Sequence, residues 1–129
     1  MKIDDTRPIW IQMVDEFSRR IASGTWPPGS RLPSVRELAA QAGVNPNTVQ
    51  RALAELDRSG LTAAERTAGR FVTTDATVVA AARTALASDA TDDYITTLTA
   101  IGMDLPATTA LLSQRWRARE AGTSTGEHS

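Results

Sequence analysis

Along residues 9 to 23, apolar side chains recur with the spacing of one helical face. Trp10, Met13, Val14, Phe17 and Ile21 stand at i, i+3, i+4, i+7 and i+11. Asp15, Glu16, Arg19 and Arg20 fall largely off that face. Pro8 suits the entrance of such a helix and Gly24 its exit. The run from Gly24 to Pro33 is dense in breakers and must be a shaped loop, with Trp26 and Leu32 as the plugs that tuck beneath it.

Ser34 is followed three positions later by Glu37, a capping box that starts a helix at Ser34. Val35, Leu38, Ala39 and Ala42 give it a small apolar face, and Gly43 supplies its stop. Asn45-Pro46 opens the next helix with a favoured cap and a favoured first residue. Its buried stripe is Val49, Ala52, Leu53 and Leu56, and Ser59-Gly60 ends it. Two short helices joined only by Ala42-Gly43-Val44 form a helix-turn-helix. The period then changes. Leu61–Ala64 and Arg70–Thr73 read as short strands around a turn at Thr67-Ala68-Gly69, where Gly69 supplies positive φ. A hairpin directly after the second helix is a wing.

Beyond Asp75 the chain is helical and rich in alanine and threonine. Val78, Val79, Ala82, Leu86, Ile95, Leu98 and Ile101 can line one side of one or two helices. Thr91 with Asp92 and Asp93 could open a fresh helix, so Ser88–Asp93 is either a break or an uninterrupted stretch. After Gly102, Asp104-Leu105-Pro106 starts a last helix carrying Leu105, Leu111, Leu112 and Trp116, with Arg115, Arg117 and Arg119 polar. This apolar stripe has too little chain of its own to cover it, which predicts a homodimer packed across a two-fold axis. The expected fold class is mainly α with a small β-hairpin. A winged helix-turn-helix covers 1–74, a short α-helical dimerisation segment covers 75–120, and 121–129 form a disordered tail.

With the buried stripe removed, the second helix of the pair presents Asn47, Thr48, Gln50 and Arg51 in its first turns. The N-terminal part of such a helix enters the major groove of DNA. Asn and Gln can pair bidentately with adenine and Arg with guanine, each worth ~1–3 kcal/mol of base discrimination. Asn45 and Thr48 can reach phosphates, helped by the positive end of the helix dipole. Arg36 points away from the apolar face of the first helix and is a candidate phosphate or base contact. In the wing, Gly69 lets backbone approach the minor groove, and Arg66 and Arg70 suit its negative potential.

Charge and composition agree with that reading. The net charge is −1, but residues 1–74 carry ten Lys/Arg against eight Asp/Glu, whereas residues 75–129 carry four against seven. The basic excess sits where the DNA-contacting element lies. The sequence has no cysteine, which removes disulfides, a cysteine nucleophile and thiolate metal sites and suits the cytoplasm. Its one histidine, His128, lies in a Gly/Thr/Ser-rich tail, so histidine catalysis and metal sensing have no support. Nothing approaches a membrane span or a secretory signal. No nucleophile–base pair, phosphate-binding glycine loop or metal-ligand cluster is present, so an enzyme is not expected and no cofactor is implied. The competing class is a winged helix that binds a protein rather than DNA; the base-capable start of the second helix argues against it.

The string Pro27-Pro28-Gly29-Ser30-Arg31-Leu32-Pro33-Ser34-Val35-Arg36-Glu37-Leu38-Ala39 strongly resembles the GntR family of bacterial regulators. The resemblance continues through Gly43 to Leu53, through Leu56-Asp57-Arg58-Ser59-Gly60-Leu61, and ends at Gly69-Arg70-Phe71-Val72. It covers about residues 7 to 74. It implies DNA contacts at Arg36, Asn45, Asn47, Thr48, Gln50 and Gly69. The stretch Glu65-Arg66-Thr67-Ala68 is less basic than many members carry before the wing glycine. The 55 residues after position 74 are too few for the family's large effector domains and look like the YtrA-like subgroup. That implies a homodimer, often repressing operons for membrane transporters, on a pseudo-palindromic operator of double-stranded DNA. A small-molecule effector is a further implication by analogy, with a pocket near Tyr94 or Trp116.

Overall fold

The computed structural model describes residues 1–127, with side chains through 123. The elements run in the order α1 (Ile9–Ala22), α2 (Val35–Ala42), α3 (Pro46–Ser59), β1 (Thr62–Glu65), β2 (Gly69–Val72), α4 (Ala76–Ala100) and α5 (Leu105–Glu127). The chain divides into two compact units, one spanning Met1–Ser88 and the other starting at Asp89. The division falls inside α4 rather than after residue 74, because Val78, Val79 and Ala82 in its first turns pack on the winged core.

The core of the first unit is built from the predicted stripes. Met13, Phe17 and Ile21 of α1, Leu38 and Ala39 of α2, and Val49, Ala52, Leu53 and Leu56 of α3 are buried together with Leu32, Leu61 and Val72. Helices α1 and α2 both pack against α3. Trp10 and Val14 are only half-buried, so the apolar face of α1 is narrower than its spacing suggested. Trp26 covers Phe17 with ring centroids 5.4 Å apart, the plug expected of the loop. Gln12 is buried without being apolar. Its amide accepts Asp4 N–H (3.0 Å) and donates to the carbonyls of Asp4 and Arg7 (both 2.8 Å), fixing the segment before α1. A buried amide is tolerated because every polar atom has a partner.

The caps explain where the helices begin and end. Ser34 Oγ accepts Glu37 N–H at 3.1 Å, and the same hydroxyl lies 3.2 Å from Glu37 Oε1. Gly43 closes α2 in the left-handed region, φ 66°, which a residue without Cβ adopts freely. Strands β1 and β2 pair antiparallel from Thr62↔Val72 to Glu65↔Gly69, one residue displaced from the predicted ends, and the turn is Arg66–Ala68. The loop before α2 adds a short stretch alongside β2. Gly29 N–H donates to Val72 O (3.0 Å), Val72 N–H to Ser30 O (2.9 Å) and Leu32 N–H to Arg70 O (2.8 Å).

Helix α4 runs unbroken through Ser88–Asp93, resolving the alternative between one helix and two. That stretch contains neither glycine nor proline, so nothing interrupts the backbone ladder once it has begun. In the second unit Gly102, φ 86°, turns the chain, and Asp104 Oδ1 accepts Ala107 N–H (3.0 Å) to start α5. Leu98 is the one buried residue among those described there. Helix α5 continues to Glu127, whereas disorder was expected from residue 121. Each added residue in a nucleated helix gains one backbone hydrogen bond, which carries low-propensity positions along. The last two positions of the expected tail, 128 and 129, lie outside the described residues.

Candidate nucleic-acid interface

The first turn of α3 is assembled by its own sequence. Asn45 is extended (φ −63°, ψ 134°), and its Oδ1 accepts Asn47 N–H at 2.8 Å, with Pro46 as the first helical residue. One face of the helix is fully committed, with Val49 and Ala52 at 0% exposure and Leu53 and Leu56 at 1%. The helix cannot rotate without exposing these four. The opposite positions are therefore held outward: Asn47, Gln50 and Arg51 are exposed and Thr48 is half-buried. The cap uses Asn45 Oδ1 and leaves its amide nitrogen as a donor at the helix start, where backbone N–H groups already favour an anion.

Arg36 is exposed on the second residue of α2, and Arg66 is exposed in the wing turn. Gly69 has φ 110°, a conformation that side-chain-bearing residues rarely adopt. Both features were legible in the sequence.

Two of the expected contact residues stand differently. Arg70 is paired within the fold. Its Nε donates to Asp57 Oδ1 (3.0 Å) and its NH2 to Oδ2 (3.0 Å), and the side chain is only 15% exposed. The reason is the paired, half-buried carboxylate at the end of α3, which also accepts the Thr62 hydroxyl at 2.6 Å. A fork-shaped guanidinium fits that carboxylate on both oxygens. Asp57 thus joins α3 to both wing strands and sets the angle of the wing. Arg51 is exposed, but its guanidinium lies 4.2 Å from the Trp10 ring centroid, a cation–π contact that ties it back to α1.

One further exposed cation, Arg31, stands outside the expected contact set. Arg31 lies beside the wing glycine, and a concavity lined by Arg31, Pro33, Ser34, Glu37 and Gly69 opens there. The available signal was the Arg31-Leu32 pair ahead of the capping box, a polar–apolar alternation hidden in a loop of breakers. For the effector hypothesis, Tyr94 is half-buried, whereas Trp116 is 64% exposed and donates its Nε1–H to Glu120 at 3.1 Å. Neither is enclosed. Among the described residues no helix is long and apolar enough to cross a membrane.

Residues 12–72 match the family model "Bacterial regulatory proteins, gntR family". The uncharacterized HTH-type transcriptional regulator YhcF of Bacillus subtilis is 31% identical over 102 residues, covering 79% of this chain and 84% of YhcF. A GntR family transcriptional regulator from Listeria monocytogenes superposes with a TM-score of 0.77 at 32% identity, covering 87% of this chain and 98% of that one. AraR(DBD), solved in complex with operator ORR3, superposes with a TM-score of 0.51 at 29% identity, covering 57% of this chain and 88% of that one.

Proposed function

The chain belongs to the gntR family of bacterial regulatory proteins, and on that premise we propose that it is a homodimeric repressor that reads a pseudo-palindromic operator. Its general class, a DNA-binding transcriptional regulator, follows from the family. The finer reading rests on one observation above others: the four apolar residues of α3 are buried while Asn47 and Gln50 face outward from its first turns. Asn47 and Gln50 read base edges, Thr48 and the Asn45 amide hold phosphate, and Arg36 contacts the duplex from α2. Gly69 brings the wing backbone to the minor groove, with Arg66 beside it. The operator complex of AraR(DBD) supports this use of the fold.

The dimer is supported by the second unit, where Ile95, Ile101, Leu105, Leu112 and Trp116 are between 46% and 74% exposed. An apolar surface of this kind on a short helical unit is what a second copy covers. Repression follows from occluding polymerase at a site in the regulated promoter. A transporter-type operon or the protein's own operon is the target, a small-molecule effector releases it, and the protein acts in the cytoplasm. The operon and the effector rest on the resemblance to YtrA-like regulators, and the location on the regulator family.

The test is binding of the purified chain to DNA from its own promoter region, titrated with salt and repeated with Asn47→Ala/Gln50→Ala. Tight, salt-sensitive, selective binding that loses its selectivity in the double variant places base readout on α3. Binding no tighter than to random DNA rejects it. A monomer in sedimentation at micromolar concentration rejects the dimer.

A further inference from the structure

The arginine inside strand β2 is engaged internally by Asp57, which leaves Arg66 in the turn as the wing's own exposed cation. Arg31 supplies another. It lies in the stretch that runs along β2, locked on either side by the Val72 N–H to Ser30 O and Leu32 N–H to Arg70 O hydrogen bonds, with a bridge between Arg31 and Phe71. Its guanidinium lies directly over the wing glycine. A Cβ placed on Gly69 would sit 2.7 Å from Arg31 Nε, 3.3 Å from Cζ and 3.4 Å from NH2. A side chain at position 69 would displace this guanidinium from its present place. Arg31 is exposed and has no acidic partner among the described residues. The one carboxylate lining the neighbouring concavity is Glu37, whose Oε1 is close to the Ser34 hydroxyl.

We propose that Arg31, from outside the hairpin, is a minor-groove arginine of this protein in addition to Arg66, reaching the DNA beside Gly69 while Arg70 is held by Asp57. The proposal rests on the DNA reading above. A narrow A·T minor groove concentrates negative potential and attracts an inserted guanidinium. Guanidinium is less tightly hydrated than ammonium, so entering the groove costs it less. The bare Gly69 backbone lets the pair approach closely. The strand-like hydrogen bonds on both sides of Arg31 place its backbone before binding, which reduces the ordering cost on the DNA.

The test uses the full chain and a duplex that it selects from a random pool. Wild type, Arg31→Ala, Arg31→Lys and Asn47→Ala/Gln50→Ala are titrated at several salt concentrations, with hydroxyl-radical footprints of each complex. Arg31→Ala is expected to bind roughly ten-fold more weakly and to reduce the salt slope by about one. It loses minor-groove protection flanking each half-site and keeps the base preferences read by α3. Arg31→Lys keeps the charge and restores the salt slope. Replacing flanking A·T pairs by I·C pairs, which preserve the A·T minor-groove pattern, leaves wild-type affinity intact. Replacing them by G·C pairs, which add a minor-groove amine, weakens the wild type more than it weakens Arg31→Ala. An Arg31→Ala variant that binds and footprints like wild type, while Asn47→Ala/Gln50→Ala loses selectivity, overturns the role of Arg31 alone. A wild type that selects no duplex overturns the DNA reading and Arg31's role with it.

Discussion

Helix α3 and helix α5 carry comparable amounts of apolar side chain and use it in opposite ways. In α3 Val49, Ala52, Leu53 and Leu56 are at most 1% exposed, and the polar residues face out. In α5 Leu105, Leu111, Leu112 and Trp116 are all at least 37% exposed. The first helix lies in a core that its own chain completes, with α1, α2 and the strands around it. The second unit buries only Leu98 among its described residues. One region is finished by folding, and the other leaves most of its large apolar side chains exposed. On the proposed dimer, this division separates reading from assembly: substitutions can damage one without the other.

The comparison breaks most visibly in the core. Phe17→Ala removes a ring that is 2% exposed and touches Trp26, and it should cost about 3–5 kcal/mol in chemical denaturation. A change of the same chemistry in α5, Leu105→Ala, should leave the winged unit's unfolding unmoved; a large loss there would contradict the division. Next in size is assembly. Ile101→Asp with Leu105→Asp should convert the proposed dimer to monomer in sedimentation while the winged unit retains its melting transition. Asp57→Ala leaves the largely buried Arg70 guanidinium without its carboxylate. It should cost about 1–3 kcal/mol by denaturation and weaken DNA binding through a displaced wing, with base preference at α3 kept.

The smallest effect is a pH dependence at the start of α4. The Thr77 hydroxyl and the Thr77 N–H hold the Asp75 carboxyl below its ordinary value of 3.8. A carboxyl lowered in the folded state stabilises above its unfolded pKa and loses that contribution as pH falls through the folded one. Asp75→Ala should therefore melt slightly below wild type at neutral pH. The difference should close as the pH is taken below 3.8; a gap that stays constant to low pH would assign the effect to helix propensity instead.

Much of the winged unit was legible because its signals are local. The Ser34 cap, the Asn45-Pro46 start and the Gly43 and Gly60 stops act over three or four residues, and the structure has each helix end within a residue or two of them. The wing turn was legible from Gly69, although its strands are shifted by one position. Helix α4 was harder to read. Its polar stretch at Ser88–Asp93 fits a helix start as well as a helix interior, and periodicity does not distinguish them.

What the sequence determined alone was the order of elements, their caps, and which face of α3 is apolar, because those depend on spacing and on neighbours within a turn. The tertiary structure decided which cations are available. Arg70 meets Asp57 across thirteen residues, Arg51 meets the Trp10 ring, and Arg31 comes to lie over Gly69. Each of these arginines looks alike in the sequence. Long side chains are assigned by what packing brings within reach, and that is set by the angles between α1, α3 and the hairpin, which no local pattern encodes.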